Sequence, residues 1–221
     1  MNMTKNNVNR TILPEPTIRR LPWYLSYVRM LDNLHVDYVS SPPISKELNV
    51  QSSQIAKDLS FLNVKGKTRI GYEVKSLVAE LEDSLGFSRH HDAVVIGTGS
   101  LGTALMQDHC LEHYGLNIVA GFDVRSEVIG QELGGLPVYD INDLPSWQKK
   151  HHVSIAIITV PVDQAQETAD RVIASGMTAI WNFTPYRIKA PQDIVIANTS
   201  IYAHLAIIYN RMHNTNSETQ Q

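Results

Sequence analysis

The stretch that decides the fold runs from residue 91 to 105 and reads HDAVVIGTGSLGTAL. Its apolar start is typical of a buried strand, and the pattern then breaks at three glycines and resumes with helical spacing. Gly97, Gly99 and Gly102 fit G-x-G-x-x-G, in which the glycines allow a tight turn, close approach of a pyrophosphate and close helix–strand packing. Amides at the helix start then hold the anion. The predicted dinucleotide-binding residues of this turn are Gly97, Thr98, Gly99, Ser100, Leu101 and Gly102.

A second apolar run, Leu116 to Phe122, follows the predicted helix and ends at Asp123. Strand, helix and strand complete a βαβ half, and the acid lies where it accepts hydrogen bonds from a ribose 2′-hydroxyl. Asp123 therefore predicts NAD(H) rather than NADP(H), although Arg125 is near enough to hold a 2′-phosphate. A plain α/β turn without a ligand is the alternative interpretation.

The composition is that of an ordinary globular protein. Of 221 residues, 43% are hydrophobic and 19% charged, and no apolar run approaches the roughly 18 residues that a membrane span needs. The N-terminus lacks a basic segment followed by an apolar one, and the single Cys110 cannot form an internal disulfide. We expect a soluble, cytoplasmic protein with no membrane segment.

Charge is distributed unevenly along the chain. Residues 1–75 carry 11 Lys and Arg against 6 Asp and Glu, whereas the remaining 146 residues carry 8 against 16. A basic N-terminal part beside an acidic C-terminal part predicts that the first part meets a polyanion.

The N-terminal part predicts three helices after a polar arm at residues 1–16. Apolar residues recur every three or four positions from Thr17 to about Leu34, which predicts one helix with a buried stripe. A short helix is predicted from Ile44 to Leu48, and a third from Ser53 to Leu62 with Ser52 as its N-cap. The buried positions of the third helix, Ile55, Leu59 and Leu62, turn Ser53, Gln54 and Lys57 outward.

The second and third helices predict a helix-turn-helix, and Val64 to Tyr72 suits the wing of a winged helix because it combines two glycines with three cations. A solvated loop is the alternative interpretation of such a charge run, but the preceding helix pair favours DNA. A linking helix is predicted at 74–86. The predicted DNA-contacting residues are Arg19, Arg20, Ser52, Ser53, Gln54, Lys57, Lys65, Lys67 and Arg69.

The C-terminal part predicts an α/β domain. Residues 153–160 are apolar nearly throughout, as a parallel strand covered on both faces should be, and Pro161 is predicted to open the next helix at N1. Residues 178–183 and 193–199 predict further strands. We therefore predict a winged helix-turn-helix domain at 17–88, a Rossmann domain with a doubly wound parallel sheet at 89–199, a dimer helix at 200–212 and a tail at 213–221.

From about Thr17 to Met212 the chain resembles the Rex family of NADH-responsive transcriptional repressors. The motifs that carry the resemblance are Arg19-Arg20-Leu21-Pro22, Lys57-Asp58-Leu59-Ser60, Gly71-Tyr72, the glycine turn at 97–102, Phe122-Asp123, Gly134-Gly135-Leu136-Pro137-Val138, Thr159-Val160-Pro161, Ala165-Gln166 and Asn182-Phe183-Thr184-Pro185. The resemblance implies a homodimer with exchanged C-terminal helices that binds a palindromic operator and senses the NADH/NAD+ balance. It also implies that the nicotinamide side of the pocket is lined by Thr159, Val160, Pro161, Asn182, Phe183, Thr184 and Pro185.

Four positions depart from the family pattern. Ala56 stands in the third helix where such repressors usually carry Arg, which removes a strong phosphate or guanine contact. Ser26, Ser200 and Asp108 replace an Arg, an Asp and a Tyr tied to the redox response in the family. These departures predict altered operator binding and a weakened redox switch.

Several other interpretations compete with this one. A dehydrogenase would need a proton donor beside the nicotinamide, and neither 159–161 nor 182–185 contains His or Lys, so we expect no enzyme. A further alternative interpretation is a DNA-binding dimer in which the Rossmann domain serves only as a scaffold. His109, Glu112 and His113 match H-x-x-E-H, but their place on the helix that follows the glycine turn argues against a zinc site. Cys110 is expected in the core.

Overall fold

The computed structural model describes residues 13–218, with side-chain burial described as far as residue 212. Contacts divide the chain into two compact units, the first ending at Arg89 and the second beginning at His90. Within the described residues, no helix combines the length and the apolar character needed to cross a bilayer.

The first unit contains four helices and two short strands among its described residues. In chain order they are α1 (Glu15–Asn33), β1 (Tyr38–Val39), α2 (Ser41–Leu48), α3 (Ser52–Leu59), β2 (Tyr72–Glu73) and α4 (Val74–Leu85). Helix α1 begins two residues before the predicted start because Pro16 lies in its first turn, where no amide hydrogen is needed. The predicted arm therefore ends at residue 14, and its residues 1–12 lie outside the described residues.

The core of the first unit is built from the predicted apolar stripe of α1. Leu21, Tyr24, Leu25 and Val28 are buried, together with Ile44 of α2 and Ile55 and Leu59 of α3; Leu77 and Leu81 of α4 close the cluster. The helix periodicity correctly predicted which face of α1 and α3 is buried.

Two details of the third helix differ from the prediction. Gln51 is the N-cap residue and Ser52 is already inside α3. The helix ends at Leu59 rather than Leu62, because the chain then forms a tight turn. In this turn the amides of Ser60 and Leu62 donate to the carbonyls of Lys57 and Leu59. Leu62 still reaches the core, where it is 7% exposed.

The predicted wing is a tight hairpin. The amide and carbonyl of Lys67 both pair with Gly71, and β2 then pairs antiparallel with β1. A side chain at Gly71 would overlap the carbonyl oxygen of Val39, and its φ of +107° also favours glycine. This close approach ties the hairpin to the strand that follows α1.

The second unit contains a seven-stranded sheet among its described residues, in the order β5-β6-β4-β3-β7-β8-β9. All neighbours are parallel except β5 and β6. The strands are β3 (His91–Ile96), β4 (Leu116–Asp123), β5 (Glu132–Leu133), β6 (Leu136–Asp140), β7 (Ile155–Ile158), β8 (Ala179–Asn182) and β9 (Val195–Asn198), and the helices are α5 (Ser100–Gln107), α6 (Leu144–His151), α7 (Ala165–Ala174) and α8 (Ile201–Glu218).

Side chains of β3 alternate between the two faces of this sheet. Val94 and Ile96 pack with Phe122 and Trp147 on one face, whereas Ala93 and Val95 pack on the other face with Met106 of α5 and neighbouring apolar residues. Burial on both faces explains why β3 and β7 read as continuous apolar runs.

Other predictions for this unit need correction. Pro161 does not open α7: it precedes a 3₁₀ turn at Val162–Gln164, and α7 begins at Ala165. Helix α8 continues to Glu218, so most of the predicted tail is helical. Helix α5 ends at Gln107, and a separate 3₁₀ helix spans His109–Tyr114.

Because of this 3₁₀ helix, the predicted positions of Cys110, His109 and His113 are wrong. Cys110 is exposed because Asp108 caps the new turn by accepting the Cys110 amide at 2.8 Å. The carboxylate of Asp108 also raises the pKa of the Cys110 thiol through a hydrogen bond and its charge. His109 and His113 therefore do not lie on the helix that the glycine turn opens, and the described residues bring no three metal-ligating side chains together.

Candidate functional site

The glycine turn joins β3 to α5 and packs against the end of β7. Gly97 has a φ of +90°, and a side chain there would approach Val160 Cγ1 to 2.8 Å; a side chain at Gly102 would overlap the carbonyl oxygen of Gly97. Around Gly99, in contrast, the space within 4 Å of an added Cβ is empty. Two glycines therefore serve packing, and the third leaves the backbone open to a ligand.

A cavity of about 370 Å³ opens beside this turn. It brings together seven of the predicted cofactor residues, Gly97, Gly99, Asp123, Arg125, Thr159, Val160 and Pro161. The carboxyl ends of β3, β4 and β7 form its wall, which is where ligands bind in open α/β sheets. The predicted residue Thr159 also has a packing role, because its hydroxyl donates to the Gly97 carbonyl at 2.6 Å.

The remaining predicted residues do not line this cavity. Thr98 is buried beneath the turn, Ser100 and Leu101 are exposed on the first turn of α5, and Gly102 is buried. Asn182 pairs in register with Ile158 of β7, so the segment from Asn182 to Pro185 begins at the same sheet edge.

Asn182 organises that segment. Its side-chain oxygen accepts from the Thr184 amide at 2.9 Å and the Thr184 hydroxyl at 2.8 Å, and its amide group donates to the Tyr186 carbonyl and to Asn198. Gln166 closes the far end through two 2.9 Å bonds to the backbone of Lys189. Phe183 packs against Trp181 with ring centroids 4.7 Å apart, and Pro185 is exposed.

Six hydrogen bonds from described residues converge on the Asp123 carboxylate. The Thr98 amide and hydroxyl donate to Oδ2 at 2.7 and 2.8 Å, and the amides of Val124 and Arg125 donate to Oδ1. The Arg125 guanidinium spans both oxygens, at 3.1 Å from Nε to Oδ1 and 2.9 Å from Nη2 to Oδ2. Burial raises the pKa of Asp123, but these donors outweigh it and hold the pKa well below its usual range.

Sequence reasoning missed several residues that line the cavity. Gln164 and Thr168 come from the 3₁₀ turn and α7, and Ile141 comes from the segment after β6; Ile96, Phe122 and Val124 extend the strand ends. Gln164 belongs to the 3₁₀ turn and Thr168 to α7, so one helical periodicity does not join them, and no pattern in the sequence indicated that both line the cavity.

On the first unit, α3 presents an exposed polar side at Ser53 and Lys57, with Ala56 exposed between them. Gln54 is only half exposed, because its amide donates to Asp58 at 3.0 Å. In α1, Arg19 is exposed and pairs with Glu15. These positions give a helix surface with the features of a nucleic-acid contact.

Arg20 has a different role from Arg19. Its guanidinium forms two bonds to the fully buried Asp58, at 2.6 Å to Oδ2 and 2.7 Å to Oδ1. The Thr17 and Tyr24 hydroxyls donate to the same carboxylate. Arg20 was predicted to contact DNA, but in the structure its guanidinium binds Asp58 and so joins α1 to α3.

The three wing cations are exposed. Lys67 Nζ donates to the Tyr38 hydroxyl at 2.6 Å and lies 4.7 Å from the centre of that ring. Arg69 occupies the left-handed region with a φ of +65° at the hairpin tip. The wing therefore holds Lys65, Lys67 and Arg69 on a defined backbone.

Ser26, Ser200 and Asp108 stand at the three positions that the family resemblance ties to the redox response. Ser26 is exposed on α1, and the Ser200 hydroxyl accepts the Ala203 amide at the start of α8. Asp108 lies at the opposite end of α5 from the glycine turn, where it caps the 3₁₀ helix. The hydrogen bonds of Ser200 and Asp108 are to the turns that these residues begin.

Two family models match the chain. The "CoA binding domain" model matches residues 88–186, and the "Putative DNA-binding protein N-terminus" model matches residues 12–60. The first covers the glycine turn, Asp123 and Asn182, and the second covers α1 through α3.

Similar proteins and structures extend over nearly the whole chain. The "Redox-sensing transcriptional repressor Rex" of Bacteroides fragilis is 51% identical over 96% of this chain and 98% of its own length. That of Porphyromonas gingivalis is 50% identical over 91% and 93%. A crystal structure of the Rex-family repressor RSP with β-NAD+ and operator DNA has a TM-score of 0.88 at 31% identity, covering 95% of this chain and 97% of that one; RSP with β-NADH gives 0.85 at 31%, covering 95% and 99%.

Proposed function

This chain belongs to the Rex family of redox-sensing transcriptional repressors, and we propose that it represses transcription by binding operator DNA in response to the NADH/NAD+ balance. One observation carries the proposal: a single chain combines a helix-turn-helix with exposed cations and a glycine-turn cavity ending at Asp123. Relatives named as Rex repressors and the RSP complexes with NAD+, NADH and operator DNA support both halves.

NAD(H) is the proposed cofactor, and the cavity fits it. The empty space at Gly99 leaves the turn accessible, and the amides at the start of α5 suit a pyrophosphate. Asp123 stands at the end of β4 where a ribose binds. Bound NAD(H) would supply a nicotinamide whose charge changes with oxidation, and Thr159 to Pro161 with Asn182 to Pro185 are proposed to lie on that side.

We propose a homodimer on a palindromic operator. Apolar side chains on α8 are exposed, including Ile201, Leu205 and Ile208 at spacings of four and three residues. An apolar stripe of this kind is typical of a subunit interface. A cytoplasmic location and the absence of enzymatic activity belong to the same proposal. Neither 159–161 nor 182–185 contains the His or Lys that a dehydrogenase would place beside the nicotinamide as a proton donor.

Removal of a wing cation should change the salt dependence of DNA binding. If Lys67 neutralises a phosphate, Lys67→Ala lowers the slope of log K against log salt by about one and weakens binding to all sequences alike. Fluorescence anisotropy with a labelled duplex at several salt concentrations measures this slope. Lys150→Ala, an exposed lysine of α6, is the control. An unchanged slope for Lys67→Ala would remove the wing from the DNA interface.

We expect NADH to bind but to release DNA only weakly. A ligand shifts an equilibrium only by its difference in affinity between the two states, and Ser26 and Ser200 replace an ion pair with hydroxyls. A neutral hydrogen bond contributes about 1 kcal/mol, so we expect NADH to lower DNA affinity by no more than about tenfold, or 1.4 kcal/mol. A DNA shift on a palindromic site with NAD+, NADH and neither tests this, and a hundredfold loss would contradict it.

A further inference from the structure

The Arg125 side chain occupies the positions on Asp123 that a ribose would need. Four of the six donors on Asp123 are fixed in place: three backbone amides and the Thr98 hydroxyl. The other two belong to the Arg125 guanidinium, which contributes one bond to each oxygen. A ribose diol also offers two O–H donors, so the guanidinium and the diol are matched competitors.

Little of the carboxylate remains open for any other approach. The Asp123 side chain is only 6% exposed, and a carboxylate offers about four lone-pair positions, which six donors already share. A ribose hydroxyl therefore reaches Asp123 only after Arg125 moves aside. The fixed donors cannot yield, because three of them are backbone amides of the β4 end and the glycine turn.

Arg125 is placed so that it can move. Its side chain is 43% exposed, and among the described residues its guanidinium donates one bond besides those to Asp123, from Nη2 to the Thr98 carbonyl at 3.0 Å. Because the Arg125 cation is nearly half exposed, water can solvate it when it leaves Asp123, so its release costs less than the release of a fully buried cation. A released guanidinium would remain within reach of the cavity, because Arg125 is one of its lining residues.

We propose that the Arg125 guanidinium acts as a latch on Asp123, the ribose-binding carboxylate. NAD(H) must displace this guanidinium to reach Asp123, whereas the 2′-phosphate of NADP(H) would bind it. The inference rests on the proposed function and deepens it. A ribose diol replaces the guanidinium bond for bond. A 2′-phosphate has no proton to donate to Asp123, but a released guanidinium can bind it through two parallel bonds. The latch therefore weakens NADH binding and strengthens NADPH binding.

The test is calorimetric titration of the full chain and of Arg125→Ala with NADH and with NADPH. We expect Arg125→Ala to bind NADH about fivefold more tightly and NADPH about tenfold more weakly, with NADH preferred throughout. Opposite signs are the signature, because a purely structural loss would weaken both ligands together. Arg171→Ala, which removes an exposed pair with Glu167 on α7, is the matched control and should leave both affinities unchanged.

Arg125→Lys covers the case in which the alanine variant is too unstable to titrate. It keeps the positive charge but cannot span both oxygens, so its two affinities should shift in the same directions by smaller factors. Equal weakening of both ligands, or no change in either, would overturn the latch. If neither the wild type nor the variants bound NADH, the proposed function itself would fail.

Discussion

Replacement of Asp58 by alanine should lower the stability of the first unit by about 3 to 5 kcal/mol, the usual effect of breaking a buried ion pair. Asp58 is fully buried, and within the described residues it accepts five hydrogen bonds, from Thr17, Arg20, Tyr24 and Gln54. The alanine leaves these donors without their acceptor. Because three of the four partners lie on α1, α3 would also lose its fixed orientation, and specific DNA binding should be lost with it.

Hydrogen exchange of α1 and α3 amides in the full chain measures this loss without averaging over the second unit. Glu47→Ala removes an exposed carboxylate from α2 and should change stability by less than about 0.5 kcal/mol. A loss below about 1 kcal/mol in Asp58→Ala would show that the cluster contributes little to stability.

The same cluster predicts acid sensitivity. Burial raises the pKa of Asp58, but the hydrogen bonds, led by that of Arg20, lower it from 3.8 to about 2. A carboxyl group whose pKa is lower in the folded state stabilises the fold above its unfolded pKa and loses that contribution as the pH falls from about 4 to about 2. The contribution is about 2 kcal/mol, and Asp58→Ala should lack this pH dependence.

Replacement of Gly102 by alanine should abolish most NADH binding. The new methyl group would overlap the Gly97 carbonyl oxygen and approach the Thr159 hydroxyl to 2.8 Å, so α5 must move away from the turn. The amides at the start of α5, which we propose bind the pyrophosphate, would then lose hydrogen bonds worth about 1.5 to 3 kcal/mol each. Loss of two lowers affinity by about a hundredfold or more, and overpacking lowers stability by about 1 to 3 kcal/mol.

Gly99→Ala is the companion variant for calorimetry and thermal unfolding. Its φ of −69° suits alanine, and the surrounding space is empty, so stability should not change. The methyl group nevertheless enters the cavity, and NADH affinity should fall by about tenfold. Tight NADH binding by Gly102→Ala would contradict the assignment of the turn.

Patterns that repeat over short distances predicted much of the fold. The apolar run, three glycines and second apolar run from residue 91 to Asp123 correctly predicted β3, the turn, α5 and β4. The stripe of α1 likewise followed from its spacing. These features depend on backbone geometry and burial, which leave a periodic trace in the sequence.

Pairings between distant polar residues left no such trace. Arg20 and Asp58 are 38 residues apart, and an arginine at a helix start looks the same in sequence whether it meets a phosphate or a buried acid. Arg125 lies two residues after Asp123, near enough for the sequence to indicate it as a ligand of a 2′-phosphate. A spacing of two residues does not indicate that its guanidinium binds both oxygens of Asp123. Cys110 was misplaced because an exposed aspartate, Asp108, ended α5 early and started another turn.

The segment from Asn182 to Lys189 is held at both ends by neutral amide side chains, Asn182 and Gln166, which donate and accept at once. A carboxylate of the same shape can accept hydrogen bonds but not donate them. Replacement of Asn182 by Asp or of Gln166 by Glu would therefore remove the bonds that these amides donate to the carbonyls of Tyr186 and Lys189. The bonds of Asn182 and Gln166 to the backbone of this segment involve no charged group, so the shape of the segment depends on two neutral side chains that can each donate and accept.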